Sequence, residues 1–357
     1  MKRSPQLDLL RGIAVLAVIV HHYYPEAVRD SHFLSKIGWA GVDLFFVLSG
    51  FLISGLLFSD WKRNGRLSIG RFFVRRGFKI YPAFYVFLLL TLPLLVVQHP
   101  AHLFHGLASE CLFVQDYREH LWPHTWSLGV EEQFYFCLPF ILLLLTKLRP
   151  SRAERGFSLI PAISIALVMI CSWFRAHNGN AGFDGLHLRA DALFLGVALG
   201  YGFHFRRASF ERLARWWLLP LALALLAPLA CYGLQRRTLP LVLTLNAVGF
   251  ALLLWWIFPR AGVRLPPVER IGFYSYSIYL WHLPVVHVFR AFAPSVPMLC
   301  AAIVASCAAG ILMGKLVEWP VLVLRDRLFP DKSHGPVDSS LPLASPAPSA
   351  DYSPATS

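Results

Sequence analysis

The sequence predicts an all-α, polytopic membrane protein of about ten transmembrane helices with both termini cytoplasmic, on three observations. Apolar residues make up 56% of the 357 residues and charged residues only 15%, where a soluble domain carries about a quarter. The mean hydropathy is +0.55, and a soluble chain of that character would expose more apolar surface than water tolerates. Apolar runs long enough to cross a bilayer recur along almost the whole chain.

The runs fall, in order, at 8–27, 37–58, 77–97, 126–146, 157–174, 186–204, 215–234, 238–259, 271–292 and 296–317. The first follows Lys2, Arg3 and Arg11 and runs into His21, His22, Tyr23, Tyr24 and Pro25 with no small-residue cleavage site, so it reads as a retained span rather than a signal peptide. An even number of spans puts both termini on one side. The Lys and Arg residues then divide 24 to seven between the two faces, with Arg189 and Lys315 inside spans. The rich face holds the cluster Lys62, Arg63, Arg66, Arg71, Arg75, Arg76 and Lys79, the loops with Arg149, Arg152 and Arg155, and the end with Lys332. The other face holds Arg29, Arg236 and Arg237 among its few. This is the positive-inside pattern, and it accounts for a net charge of +13 without nucleic acid, which would need a basic soluble surface. Residues 331–357 are rich in Ser, Pro and Ala and read as a disordered cytoplasmic tail. Five of the six Cys lie in apolar runs with no Cys-x-x-Cys pair, as small core residues do.

Ionisable groups inside spans mark functional positions by default. At 1.5 Å rise per residue, His22 lies roughly 6–7 Å from the middle of its span, Asp43 about 7 Å, Glu131 and Glu132 roughly 6–8 Å, and Asp191 about 6 Å with Arg189 slightly farther out. His282 falls near the midplane. A shared depth for residues of five spans predicts one polar layer. Within it His22 can serve as a general base, with Asp43, Glu131 or Glu132 to fix its tautomer; the alternative is a histidine that only packs helices together. Metal is not expected: His21 and His22 are adjacent and point about 100° apart on a helix. On the basic face, Arg71, Arg75, Arg76 and Lys79 recur at three- and four-residue spacing, so they share helix faces. Such a cluster suits a multiply charged phosphate, although juxtamembrane cations are also expected from topology and anionic lipid.

Several segments, in order, resemble the membrane-bound acyltransferase-3 family. They are Leu7-Asp8-Leu9-Leu10-Arg11-Gly12 with His22, Gly41-Val42-Asp43-Leu44-Phe45-Phe46-Val47-Leu48-Ser49-Gly50-Phe51, Arg75-Arg76 to Pro82, and Trp126-Ser127-Leu128-Gly129-Val130-Glu131-Glu132-Gln133-Phe134-Tyr135. Weaker landmarks are Arg189-Ala190-Asp191, Ser275-Tyr276-Ser277-Ile278-Tyr279-Leu280-Trp281-His282 and Glu318-Trp319-Pro320. The second- and fourth-span motifs are the specific ones, and Lys79 stands where the family usually has Arg.

The resemblance implies one acyltransferase domain over residues 1–330 in a bacterial inner membrane. The implied reaction moves an acyl group, most commonly acetyl, from cytoplasmic acyl-CoA to a hydroxyl of a cell-surface or exopolysaccharide sugar, with no tightly bound cofactor and with glycan-assembly machinery as a possible partner. Arg11, Arg76 and Lys79 would hold the phosphates of coenzyme A, Lys79 without the bidentate fork of Arg. His22 would be the catalytic base, oriented by Asp43 or Glu132, while Glu131, Trp126, Tyr135, Arg189, Asp191 and His282 would meet substrate. Arg11 lies about 16 Å from His22 along the first helix, so a donor with a long arm would bridge them. Ser49 competes as a nucleophile, but its Ser-Gly pair also suits close helix packing. A transporter of acylated saccharide or lipid would need inverted repeats with matching broken helices, and the sequence displays none. A lipid-linked donor is the third reading.

Overall fold

The computed structural model describes residues 4–24, 32–98, 101–148, 156–178, 182–232, 238–260, 262–292 and 295–329. The expectations for Lys2, Arg3, Arg29, Arg149, Arg152, Arg155, Arg236, Arg237, Lys332 and the tail fall outside those residues. Among the described residues the chain is helical with no strand. The helices are α1 (Pro5–Tyr23), α2 (Phe33–Gly38), α3 (Gly41–Asn64), α4 (Ile69–Gln98), α5 (Leu103–Cys111), α6 (Trp126–Lys147), α7 (Ile160–His177) and α8 (Leu186–Phe205). They continue with α9 (Arg207–Leu213), α10 (Leu218–Tyr232), α11 (Leu239–Ile257), α12 (Pro266–Phe273), α13 (Ser275–Phe289), α14 (Val296–Met313), a π turn (Gly314–Glu318) and α15 (Trp319–Leu328).

Six helical stretches are long and apolar enough to cross a membrane, or seven if the pair α9–α10, bent by 72°, counts as one. The chain is thus a multi-pass membrane protein, but the expected ten spans are not all met by length and hydropathy. The three shortfalls are α1, α8 and α13. Each carries polar residues (Asp8 and Arg11, Arg189 and Asp191, His282) that lower its hydropathy, and α13 has only 15 residues. These helices are interior: α1 is packed by α3, α12 and α13, and α8 by α3, α6, α7 and α11. A helix screened from lipid by its neighbours can hold polar groups that a lipid-facing one cannot.

The most extensive helix contact joins α3 to α8. It depends on small residues: a Cβ on Gly50 would lie 1.8 Å from the Leu193 carbonyl oxygen, and one on Gly196 2.1 Å from that of Val47. Backbones approach this closely only where side chains are absent. α3 ends where Gly65 takes φ +63°, its N–H closing on the Trp61 carbonyl (2.8 Å), a left-handed cap that glycine adopts without strain. Pro82, Pro139 and Pro284 sit inside α4, α6 and α13, as membrane helices tolerate when neighbours satisfy the freed carbonyls. The π turn after α14 adds a residue to the helical repeat and directs Glu318 toward α4 and α13.

Candidate active site

Five helices enclose a cavity of about 130 Å³, lined by Arg11 of α1, Ser49 of α3, Arg76 and Lys79 of α4, Glu131 and Tyr135 of α6, and Tyr276 and Tyr279 of α13, with apolar residues between them. Arg76 and Lys79 also line a second cavity of about 240 Å³, which carries Arg63, Arg71, Arg75 and Arg325. The two cavities therefore share the wall formed by Arg76 and Lys79 of α4. Helical spacing explains the shared wall: Arg75 and Arg76 are adjacent and diverge, while Arg76 and Lys79 share a face.

Arg11, Arg76 and Lys79, expected together from sequence, are together. Their charges are balanced differently. Lys79 is ion-paired with Glu318, which also accepts from Ser277 Oγ (2.8 Å). Arg76 lies over the Tyr135 ring, 4.1 Å from its centroid, with Nε buried and without a hydrogen bond. Neither Arg11 nor Arg76 forms an ion pair among the described residues. Two guanidinium groups with no ion pair among the described residues, facing one cavity that Glu131 also lines, can receive an anion.

Glu131 closes a small polar triangle opposite them. It accepts from Ser49 Oγ (2.7 Å) and from the Tyr135 hydroxyl (2.5 Å), and the two hydroxyls lie 3.1 Å apart. Glu132, one position on, points about 100° away. It takes a hydrogen bond from Tyr81 on α4 and keeps Oε1 buried without a partner.

Past Tyr279 the polar path continues into three histidines. The Tyr279 hydroxyl donates to the His124 carbonyl (2.8 Å) and accepts from Ser127 Oγ (2.6 Å). His282 Nδ1 lies 2.6 Å from the Tyr279 carbonyl oxygen, and its Nε2 lies 3.2 Å from His22 Nδ1. His22 Nδ1 also faces the Val18 carbonyl at 3.0 Å. His124 completes the cluster, its ring centroid 5.0 Å from that of His282 and its Nε2 3.2 Å from the Leu280 carbonyl oxygen. Among the described residues no group of three His, Cys, Asp or Glu is placed to share a metal ion. His22 itself does not line the cavity.

Among the described residues no carboxylate bonds to His22, the part expected of Asp43 or Glu132. Asp43 is ion-paired with Arg189 (3.0 Å) and accepts from Asn246, and Glu132 faces Tyr81; the group against His22 is His282. Depth along a helix does not determine which way a side chain faces, and Asp43 turns toward α8 and α11 rather than toward α1. Nor do the expected substrate contacts all face the cavity. Asp191 is held by the Arg175 guanidinium (2.6 and 3.1 Å), which also donates to Thr244 and the Leu188 carbonyl. Trp126 packs against Phe46, with Arg189 5.2 Å from the centroid of its ring. Arg189, Asp191 and Trp126 thus tie α3, α6, α7, α8 and α11 together, while Glu131 and Tyr135 reach the cavity and His282 reaches His22.

Five residues escaped the reading of the sequence. Glu318 stood in a weak landmark, and only the π turn brings it to Lys79. Ser127 and His124 flank the start of α6, and Tyr279 lies one turn before His282; the aromatic and hydroxyl residues beside the two motifs were their only signal. The fifth is Glu110 of α5, outside the spans. Its Oε1 accepts from the Leu121 and Trp122 N–H groups and from Thr125 Oγ1 (2.7 Å), folding the loop that delivers His124. Burial pushes this carboxyl up to about 7. Asp116 of the same loop is likewise raised by burial, to about 6, while accepting from Gln133 and the Leu186 N–H.

A family model described as an acyltransferase domain matches residues 4–315. The chain is 27% identical over 324 residues to the peptidoglycan O-acetyltransferase OatA of Listeria monocytogenes, covering 80% of this chain and 50% of the relative. It is 25% identical over 325 residues to the O-acetyltransferase OatA of Staphylococcus aureus, covering 79% and 50%. A putative O-acetyltransferase of the same organism is 32% identical over 219 residues, covering 56% and 35%. The chain spans half or less of the length of these curated relatives, and no solved structure matches it. The matching model runs from before Arg11 to beyond His282 and takes in every residue that lines the cavity, so the chain belongs to the acyltransferase-3 family.

Proposed function

We propose that this chain is a membrane O-acyltransferase that moves an acyl group, acetyl first among the candidates, from acyl-CoA on the basic, cytoplasmic face to a hydroxyl of a surface glycan. The observation that carries the reading is the cavity itself: Arg11 and Arg76, with no ion pair among the described residues, at one part of its wall, and Tyr279, against the His22–His282 pair, at another. The donor's phosphates neutralise the guanidinium groups, and its narrow arm runs inward past Ser49 and Tyr279 toward His22. In the chemical step the sugar hydroxyl attacks the thioester carbonyl while His22 Nε2 takes its proton. The tetrahedral intermediate then expels the thiolate, which recovers that proton from His22. The names of the relatives favour an acetyl donor and a peptidoglycan-type acceptor, and the excess of cations on one face supports cytoplasmic termini in a bacterial inner membrane.

Mass spectrometry of surface glycans tests this in cells carrying the intact chain, His22→Ala, or no copy, with membrane abundance measured alongside. The ester disappears in both altered strains while the His22→Ala protein stays at normal abundance, and the mass difference names the acyl group. Arg76→Ala separates donors. It raises the KM for acyl-CoA about tenfold or more if the phosphates bind there, and leaves it unchanged if the donor is lipid-linked. An unaltered ester in the strain without the chain overturns the proposal.

A further inference from the structure

We infer that His282 is a positioning residue that holds His22 in its Nδ1–H tautomer, so that Nε2 is the basic nitrogen. The inference rests on the reading of His22 as the base, and it assigns to an imidazole the part that an acidic side chain was expected to play.

The argument is one of donors and acceptors. A backbone carbonyl can only accept, so His282 Nδ1, 2.6 Å from the Tyr279 oxygen, must carry the proton. In the neutral ring its Nε2 is then a bare acceptor, 3.2 Å from His22 Nδ1. The other group facing His22 Nδ1 is the Val18 carbonyl oxygen at 3.0 Å, also acceptor-only. Two acceptors converge on one nitrogen, which resolves the tautomer from the network. His22 Nε2 makes no hydrogen bond among the described residues, and so presents an available lone pair.

His282 contributes something that Val18 does not. The Val18 oxygen sits four residues back on the same helix and moves with His22, whereas His282 comes from α13 and fixes the ring relative to the wall of the cavity. Tyr279 and His282 share one turn of α13, so the hydroxyl that lines the cavity and the imidazole that orients the base belong to one rigid unit. When His22 takes a proton at Nε2 its Nδ1–H becomes a stronger donor, and the His282 lone pair accepts it without a full negative charge being buried nearby.

The test uses the full chain in detergent micelles with 15N-labelled histidine, the His22 signal being assigned from the spectrum of His22→Ala. Wild type is expected to show His22 as the Nδ1–H tautomer, and His282→Leu a mixture of the two. His282→Gln, whose side-chain oxygen can accept in place of Nε2, is expected to keep it. Thiol release from acetyl-CoA, with soluble peptidoglycan fragments as acceptor, supplies the kinetic readout. His282→Leu lowers kcat by about 10²-fold with the KM for acetyl-CoA within about twofold, and His282→Gln recovers to within about tenfold of wild type. An Nε2–H tautomer in wild type, or an unchanged tautomer in His282→Leu, overturns the inference. Full transfer by His22→Ala instead overturns the base assignment beneath it, whatever the spectra show.

Discussion

At the scale of single residues, Glu110 shows how a group outside the spans holds the loop that carries His124 to His282. Its carboxyl is raised from the ordinary range to about 7 because burial disfavours the charge more than three donors favour it. The folded protein therefore holds a proton that the unfolded chain releases near pH 4–5. Stability from this group is full below that range and is lost as pH rises through about 7. The shift corresponds to roughly 3 kcal/mol at most. Melting the purified chain between pH 5 and 8 should accordingly show Tm falling with pH, and Glu110→Gln should flatten that slope; an equal slope in both proteins would remove Glu110 as its source. At this same scale the sequence was only half legible. His22 and Glu131 could be singled out by type and depth, Arg76 and Lys79 by their spacing, and Arg11 and Tyr135 by the family resemblance. The partners of Asp43 and Asp191 could not, because they depend on rotation about each helix axis, which a rise of 1.5 Å per residue leaves undetermined.

At the scale of elements, the α3–α8 contact brings Ser49 and Asp43 to their places. Gly196 faces the Val47 carbonyl so closely that any larger side chain must separate the two helices. Gly196→Leu is expected to abolish accumulation in the membrane, while Gly70→Ala, at a position with open space, leaves abundance unchanged; immunoblotting of membrane fractions measures both. The π turn works the other way, adding a residue so that Glu318 turns inward to Lys79. Nothing in Gly-Lys-Leu-Val-Glu distinguishes a π turn from a continuing α-helix, so this element was not legible beforehand. The long lipid-facing helices were, because their apolar runs are unbroken.

At the scale of the whole molecule, all-helical, multi-pass architecture followed from composition, and the difference from ten spans has two causes. Asp8 and Arg11 lower the hydropathy of α1, Arg189 and Asp191 that of α8, and α13 has only 15 residues; all three helices hold part of the polar interior. That interior makes a nearly continuous polar path: basic mouth, cavity, Tyr279, histidines. A bilayer containing such a path risks leaking protons down its electrochemical gradient, and between the cavity and the histidines stands the Tyr279 ring, tethered at its hydroxyl by Ser127 and His124. Vesicles loaded with a pH-sensitive dye should dissipate an imposed gradient faster with Tyr279→Ala than with the intact chain or Tyr279→Phe, and equal rates would dismiss the idea. The residue past which the proposed reaction would carry the acyl group would then also be the seal that lets a cell keep this enzyme in an energised membrane without draining it.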